Sequence, residues 1–183
     1  GLKGAGALSS MREILQGQDR DLILFVIESL DMMNSHEADR EIIGLLAKHD
    51  DPVIAENVLD YFHGSLQNGI ISIMDDVLAF DNEQTDLLLL DYMAPFFTDP
   101  EKRDSVEPYI KRLFDDHHAC VRMKAAGILA HADSAEDREK ALSYMTAEFQ
   151  KAEAEDVLPL IETVMTDTSD FIVDQILAQK EKF

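Results

Sequence analysis

The residues best equipped for chemistry in this 183-residue chain are its six histidines and its one cysteine, Cys120. His117 and His118 follow Asp115 and Asp116, and Cys120 lies three positions beyond His117. Imidazole, thiolate and carboxylate are zinc ligands, but a structural zinc site wants four of them at fitting geometry. Adjacent residues on a helix point about 100° apart, which makes His117 and His118 a poor pair. Cys120 reads as a small buried apolar residue opening a helix. It is also the one candidate nucleophile near a histidine, and no Gly-rich elbow or oxyanion signature accompanies it. Phosphate-binding loops of the GxGxxG or GxxxxGK[ST] type are missing from the sequence. Acid-rich turns such as Asp99-Pro100-Glu101 lack the alternating ligands and central glycine of a calcium loop. The expectation is no catalytic, cofactor-binding or metal-ligating residue, and no enzyme.

The elements that must position any site are helical. Leu22, Ile23, Val26, Ile27 and Leu30 fall on one stripe of a 3.6-residue period, and Ile42, Ile43, Leu45 and Leu46 do the same. Ser10 is expected to cap a first helix that runs to Leu15 and stops at Gly17. Asp51-Pro52 is a helix start, since proline at the first helical position gives up an N–H that has no partner anyway. Asn82 or Thr85 opens the helix carrying Leu87 to Leu90, which Pro95 should kink or end. Ser134 with Asp137 resembles a capping arrangement. Asp156 and Ser169 open the last two of about eleven helices, the final one carrying Phe171, Ile172, Ile176 and Leu177.

These segments repeat. A shift of 32 sets Leu22 on Ile54, Val26 on Val58, Ile27 on Leu59, Glu28 on Asp60 and Leu30 on Phe62. A shift of 67, about two such units, sets Ile54 on Val121, Val58 on Ala125, Leu59 on Ala126 and Phe62 on Leu129. First helices end in apolar pairs (Leu45–Leu46, Val77–Leu78, Leu113–Phe114), followed by the turns His49-Asp50-Asp51, Phe80-Asp81-Asn82 and Asp115-Asp116-His117. A period in the thirties built of two helices is the signature of a solenoid.

The stretch from Asp116 through Cys120-Val121-Arg122 to Ala125-Ala126 and Leu129 resembles the second helix of a HEAT repeat, in which Asp, Val-Arg, Ala and a later Leu recur. Asp51-Pro52-Val53-Ile54, with Val58 and Leu59, is similar but has Ala55 where arginine is usual. The resemblance implies an all-α, right-handed α-α superhelix of about five HEAT-like helix pairs in one domain over residues 8–183, with residues 1–7 a disordered leader or tag remnant. It also implies that second helices line a concave, partner-gripping face. Glu28, Asp31, Glu56, Asp60 and Asp91 lie on those helices, with Glu28 and Asp60 equivalent, and form an expected acidic row for a basic partner segment. Met123 is expected to be an exposed, adaptable contact there. His36-Glu37 is similar to the His-Glu pairs that ligate iron in deoxyhypusine hydroxylase, an enzyme on the same repeats. That enzyme uses several pairs, and this chain has one. With Ser35 as a cap, Glu37 reads as a first-turn acid.

Charge removes further classes. Sixteen Lys and Arg face 37 Asp and Glu, a formal charge of −21. Such a field repels nucleic acid, whose affinity comes from phosphate neutralisation, and anionic membrane surfaces. DNA glycosylases built on HEAT-like repeats carry basic grooves and aromatic contacts, whereas this chain has no Trp. One cysteine permits no intrachain disulfide, and no apolar run approaches the ~20 residues that span a bilayer. The expectation is a cytoplasmic protein-binding scaffold or adaptor without cofactor or direct membrane insertion. A regulatory domain of a larger enzyme or transporter is the alternative, and a metal-dependent enzyme on a HEAT scaffold is the second. The acidic surplus has two open readings, steering of a basic partner and simple solubility.

Overall fold

The computed structural model describes residues 2–65 and 69–151. Among the described residues the chain is all-α, with nine α-helices, a short 3-10 segment and no strand. It divides within its sixth helix into two compact units, Gly1–Leu88 and Leu89–Phe183.

The first unit holds α1 (Leu2–Leu15), α2 (Arg20–Met32), α3 (Asp39–Lys48), α4 (Pro52–Ser65), the 3-10 segment Gly69–Ile73, α5 (Met74–Leu78) and the opening of α6 (Glu83–Thr98). Because α1 begins at Leu2, residues 2–7 of the expected leader are helical, and Ser10 sits inside the helix rather than capping it. Asp19 caps α2, its Oδ1 accepting from the Leu22 N–H at 3.1 Å. The far end of α2 is closed by a stop the sequence reading passed over. Asn34 takes φ +50°, the Asn34 N–H donates to the Asp31 carbonyl at 2.8 Å, and the Ser35 N–H donates to the Leu30 carbonyl at 3.0 Å. That is the left-handed Schellman closure, for which asparagine is the usual substitute for glycine. Consequently α3 starts at Asp39, and Glu37 precedes the helix rather than standing in its first turn. Asp51 caps α4 as expected, its Oδ1 accepting from Val53 and Ile54 at 2.9 and 3.4 Å.

Helix α2 packs on α4, α3 on α4, and α1 on α2 and α3. The shift of 32 residues reproduces burial as well as residue type. Val26 and Val58, Ile27 and Leu59, and Leu30 and Phe62 are buried in pairs, while Glu28 and Asp60 are both exposed. The pairing fails at Leu22, exposed where Ile54 is buried, and at Ser29, half-buried where Tyr61 is buried.

The second unit contains the rest of α6, α7 (Arg103–Phe114), α8 (Ala119–Leu129) and α9 (Ala135–Lys151). Asn82 caps α6, its Oδ1 accepting from the Thr85 N–H at 2.9 Å. Pro95 does not end that helix, which runs three residues further to Thr98. Helix α8 packs between α7 and α9 and is buried from Met123 through Leu129, which is the burial of a core helix rather than a surface one. Two arginines clamp the turns before their own helices. Arg122, fourth residue of α8, donates from Nη1 to the carbonyls of Asp116 and His117, both at 2.8 Å. Arg138, fourth residue of α9, does the same to Ala132 and Asp133 at 2.5 and 2.7 Å. Each satisfies carbonyls that a turn leaves without helical partners. The helices expected from Asp156 and Ser169 lie outside the described residues.

Candidate partner-binding surface

The amphipathic register of α2 and α4 decides where their acids go. Ile23, Val26, Ile27 and Leu30 turn α2 inward, and Ile54, Ala55, Val58 and Leu59 do so for α4. Glu28 and Asp31 are therefore exposed on α2, and Glu56 and Asp60 on α4, and of these Glu28 and Asp60 stand at positions related by the repeat on two packed helices. Residues 1–88 carry 17 Asp and Glu against 5 Lys and Arg. Two of those five cations are engaged inside the unit: Arg20 pairs with Asp51 at 3.0 Å, and Arg12 pairs with Glu41 at 3.0 Å and reaches the Glu37 carbonyl. Each of these pairs uses one carboxylate for one cation, so the unit keeps its full excess of acids over bases.

Two of the residues expected to contact a partner are placed elsewhere. Asp91 belongs to the second unit and forms an ion pair with Lys124, a lysine only 7% exposed. The carboxylate there balances a charge taken out of water, a structural task. Met123 is fully buried, contrary to the expectation of an exposed contact. It follows Arg122 on a helix enclosed on most sides, and Met123 fills core volume. A methionine gives no sequence signal that separates the two roles.

Sequence reasoning missed an apolar stripe on the outer face of α2. Leu22, Phe25, Met32 and Met33 are 47, 63, 81 and 56% exposed. Leu22, Phe25 and Met32 fall at i, i+3 and i+10, one face of a helix, with Ser29 between them returning its hydroxyl proton to the Phe25 carbonyl at 2.7 Å. The signal was visible as large apolar residues occupying both sides of α2, more than one buried stripe can use.

A polar knot fixes how α4 meets the loop before α3. The Tyr61 hydroxyl, on a residue 2% exposed, lies 2.6 Å from Asp39 Oδ1 and 2.7 Å from the Ser35 carbonyl. His36 stands edge-on to the ring, its Nδ1 3.5 Å from Asp39 Oδ2. Burial, then the hydrogen bond to Asp39, hold the Tyr61 hydroxyl well above the ordinary tyrosine range, so it stays a donor. His36 is thereby a support for Asp39, and the His-Glu pair is split between this knot and the Glu37 carbonyl bound by Arg12.

The histidine turn is also rearranged relative to expectation. His117 and His118 precede α8, and their rings lie 3.7 Å apart instead of diverging. Both Nδ1 atoms face Asp116 Oδ1, at 3.6 and 3.0 Å, and the same oxygen accepts the His118 N–H at 2.7 Å. The carboxylate closes the turn ahead of a helix N-terminus. The Arg122 guanidinium holds two carbonyls of this turn ahead of α8. Cys120, expected to be buried, is exposed.

No helix among the described residues is long and apolar enough to cross a membrane. No family model, curated protein or solved structure matches this chain.

Proposed function

We propose that this chain is a non-catalytic cytoplasmic scaffold whose helix pairs are HEAT-like solenoid repeats, and that it binds a basic segment of another protein on the acidic face of α2 and α4. The observation that carries the reading is the equivalence of Glu28 and Asp60. They are exposed at repeat-related positions of two packed helices in which buried Val26, Ile27 and Leu30 match buried Val58, Leu59 and Phe62. A repeated register that keeps its acids outward at the same step builds a regular row of charge, and regular charge is what an extended or helical cationic segment can match. Glu56 adds a carboxylate one turn before Asp60.

The test is a titration of the 183-residue chain with a fluorescent Lys/Ser peptide, read by anisotropy at two salt concentrations. Binding that weakens with salt is expected. Glu56→Lys/Asp60→Lys should lower affinity about tenfold, the order expected for like charges replacing opposite ones. Glu101→Lys/Glu139→Lys, two exposed acids of the second unit, changes net charge equally and should leave affinity within about twofold. Equal losses from both pairs would reduce the effect to net charge and overturn the reading.

A further inference from the structure

We infer that the exposed stripe of α2, Leu22, Phe25, Met32 and Met33, is an apolar lock for an amphipathic, cationic helix of a partner protein, so that this partner is recognised by shape as well as charge. The inference rests on the acidic-face reading and deepens it, by naming the partner's chemistry.

A helix is the fitting occupant because the same face of α4 already seats neighbouring chain. Shifted by 32, Leu22 corresponds to Ile54 and Ser29 to Tyr61. Ile54 and Tyr61 are both buried, and Tyr61 reaches Ser35 and Asp39 at the head of α3. On α2 Leu22 is exposed and Ser29 half-buried, and the large apolar side chains beside them face outward, with Met32 81% exposed. The stripe runs from Leu22 to Met33, about 16 Å at 1.5 Å per residue, long enough for three turns of a partner helix reading it at i, i+3 or i+4, and i+7. Met32 and Met33 add unbranched, polarizable side chains that fit irregular apolar surfaces.

Charge selects among the apolar partners. Asp21 and Glu28 border the stripe on one side and Asp31 follows Glu28 by three residues. Arg20, the one cation of α2, is drawn into its pair with Asp51. A partner helix with lysines or arginines beside its apolar face is therefore favoured, and an acidic one is rejected. A second copy of this chain fits poorly. It would bring the same acids against one another, and four side chains fall short of the roughly 800 Å² each partner contributes to a standard interface. Anionic lipid is repelled by the same border.

The experiment uses two labelled peptides of equal length and charge on the full chain: an amphipathic Leu/Lys helix and a Lys/Ser peptide without an apolar face. The Leu/Lys peptide is expected to bind at least tenfold more tightly. Phe25→Gln/Met32→Gln, at exposed positions, should erase that advantage and leave the weaker Lys/Ser binding unchanged, and Met33→Gln should reduce the advantage in part. Glu56→Lys/Asp60→Lys should weaken both peptides. Equal affinity for the two peptides, or a Leu/Lys affinity indifferent to all three glutamine substitutions, overturns the lock while leaving the acidic-face reading standing on the Lys/Ser result. Sedimentation completes the set. A monomer is expected, and a wild-type dimer that Phe25→Gln/Met32→Gln dissociates would assign the stripe to a second copy and overturn the proposal.

Discussion

Removing one oxygen atom, by Tyr61→Phe, tests how α4 is held to the loop before α3. The hydroxyl is within 2.6 Å of Asp39 and 2.7 Å of the Ser35 carbonyl, on a residue 2% exposed. Hydrogen bonds to charged groups contribute about 1.5–3 kcal/mol. The Asp39 side chain retains 27% exposure, so water re-solvates part of what is lost and a cost of about 2 kcal/mol is expected. The edge-to-face contact with Phe62, at 4.9 Å and 90°, survives the change. Urea unfolding followed by circular dichroism measures the difference, and pH supplies a second readout with a fixed sign. The folded state holds the Tyr61 proton above the ordinary tyrosine range, whereas the unfolded chain releases it near pH 10. Above about pH 10 the unfolded state binds fewer protons, so stability falls as pH rises, by at most about 1.4 kcal/mol per pH unit from this group. Tyr61→Phe lacks that loss, so the two stability curves should run parallel up to about pH 9 and converge above pH 10. A difference under about 0.5 kcal/mol at neutral pH, or curves that stay parallel in alkali, would refute the knot as a stabilising element.

Five other substitutions separate structural from surface roles. Asp91→Asn leaves the buried Lys124 charge without its carboxylate and should cost about 3 kcal/mol, while Lys124→Met keeps the volume, removes the charge and should cost under about 1 kcal/mol; urea unfolding in the reverse order would contradict the pair's assigned role. Arg122→Met removes bonds to two carbonyls and the Tyr144 hydroxyl and should cost about 2 kcal/mol, with faster amide exchange across residues 115–118. Arg138→Met should cost less, since its bonds go to the turn carbonyls of Ala132 and Asp133. Met123→Ala should cost about 3 kcal/mol in thermal or urea unfolding and leave peptide affinity unchanged; lost affinity at unchanged stability would return Met123 to the surface.

What could be read from the sequence was local. Asp51-Pro52 and Asn82 cap the helices their chemistry calls for, because a cap needs only a side chain and an N–H two or three residues on. The 32-residue shift found the matching inward faces of α2 and α4 because burial on a helix follows a fixed angular step. What could not be read depends on partners distant in sequence. Nothing near Asp91 announces Lys124, and nothing near Tyr61 announces Ser35 and Asp39, 26 and 22 positions away. Leu22 and Ile54 look alike in sequence and differ only in having a covering neighbour. Met123 was misplaced for the same reason, since the enclosure of α8 is decided by α7 and α9. Asn34 was a legible stop that went unread, and it moved the start of α3 past Glu37.

The acidic face of α2 and α4 is tested most directly by mapping amide chemical shifts of the isotope-labelled chain during titration with the Lys/Ser peptide. Saturable shifts clustered on Glu28, Glu56, Asp60 and their helix neighbours, quenched by added salt, are the expected result. Shifts spread over exposed acids of both units alike, or centred on residues outside α2 and α4, would contradict it.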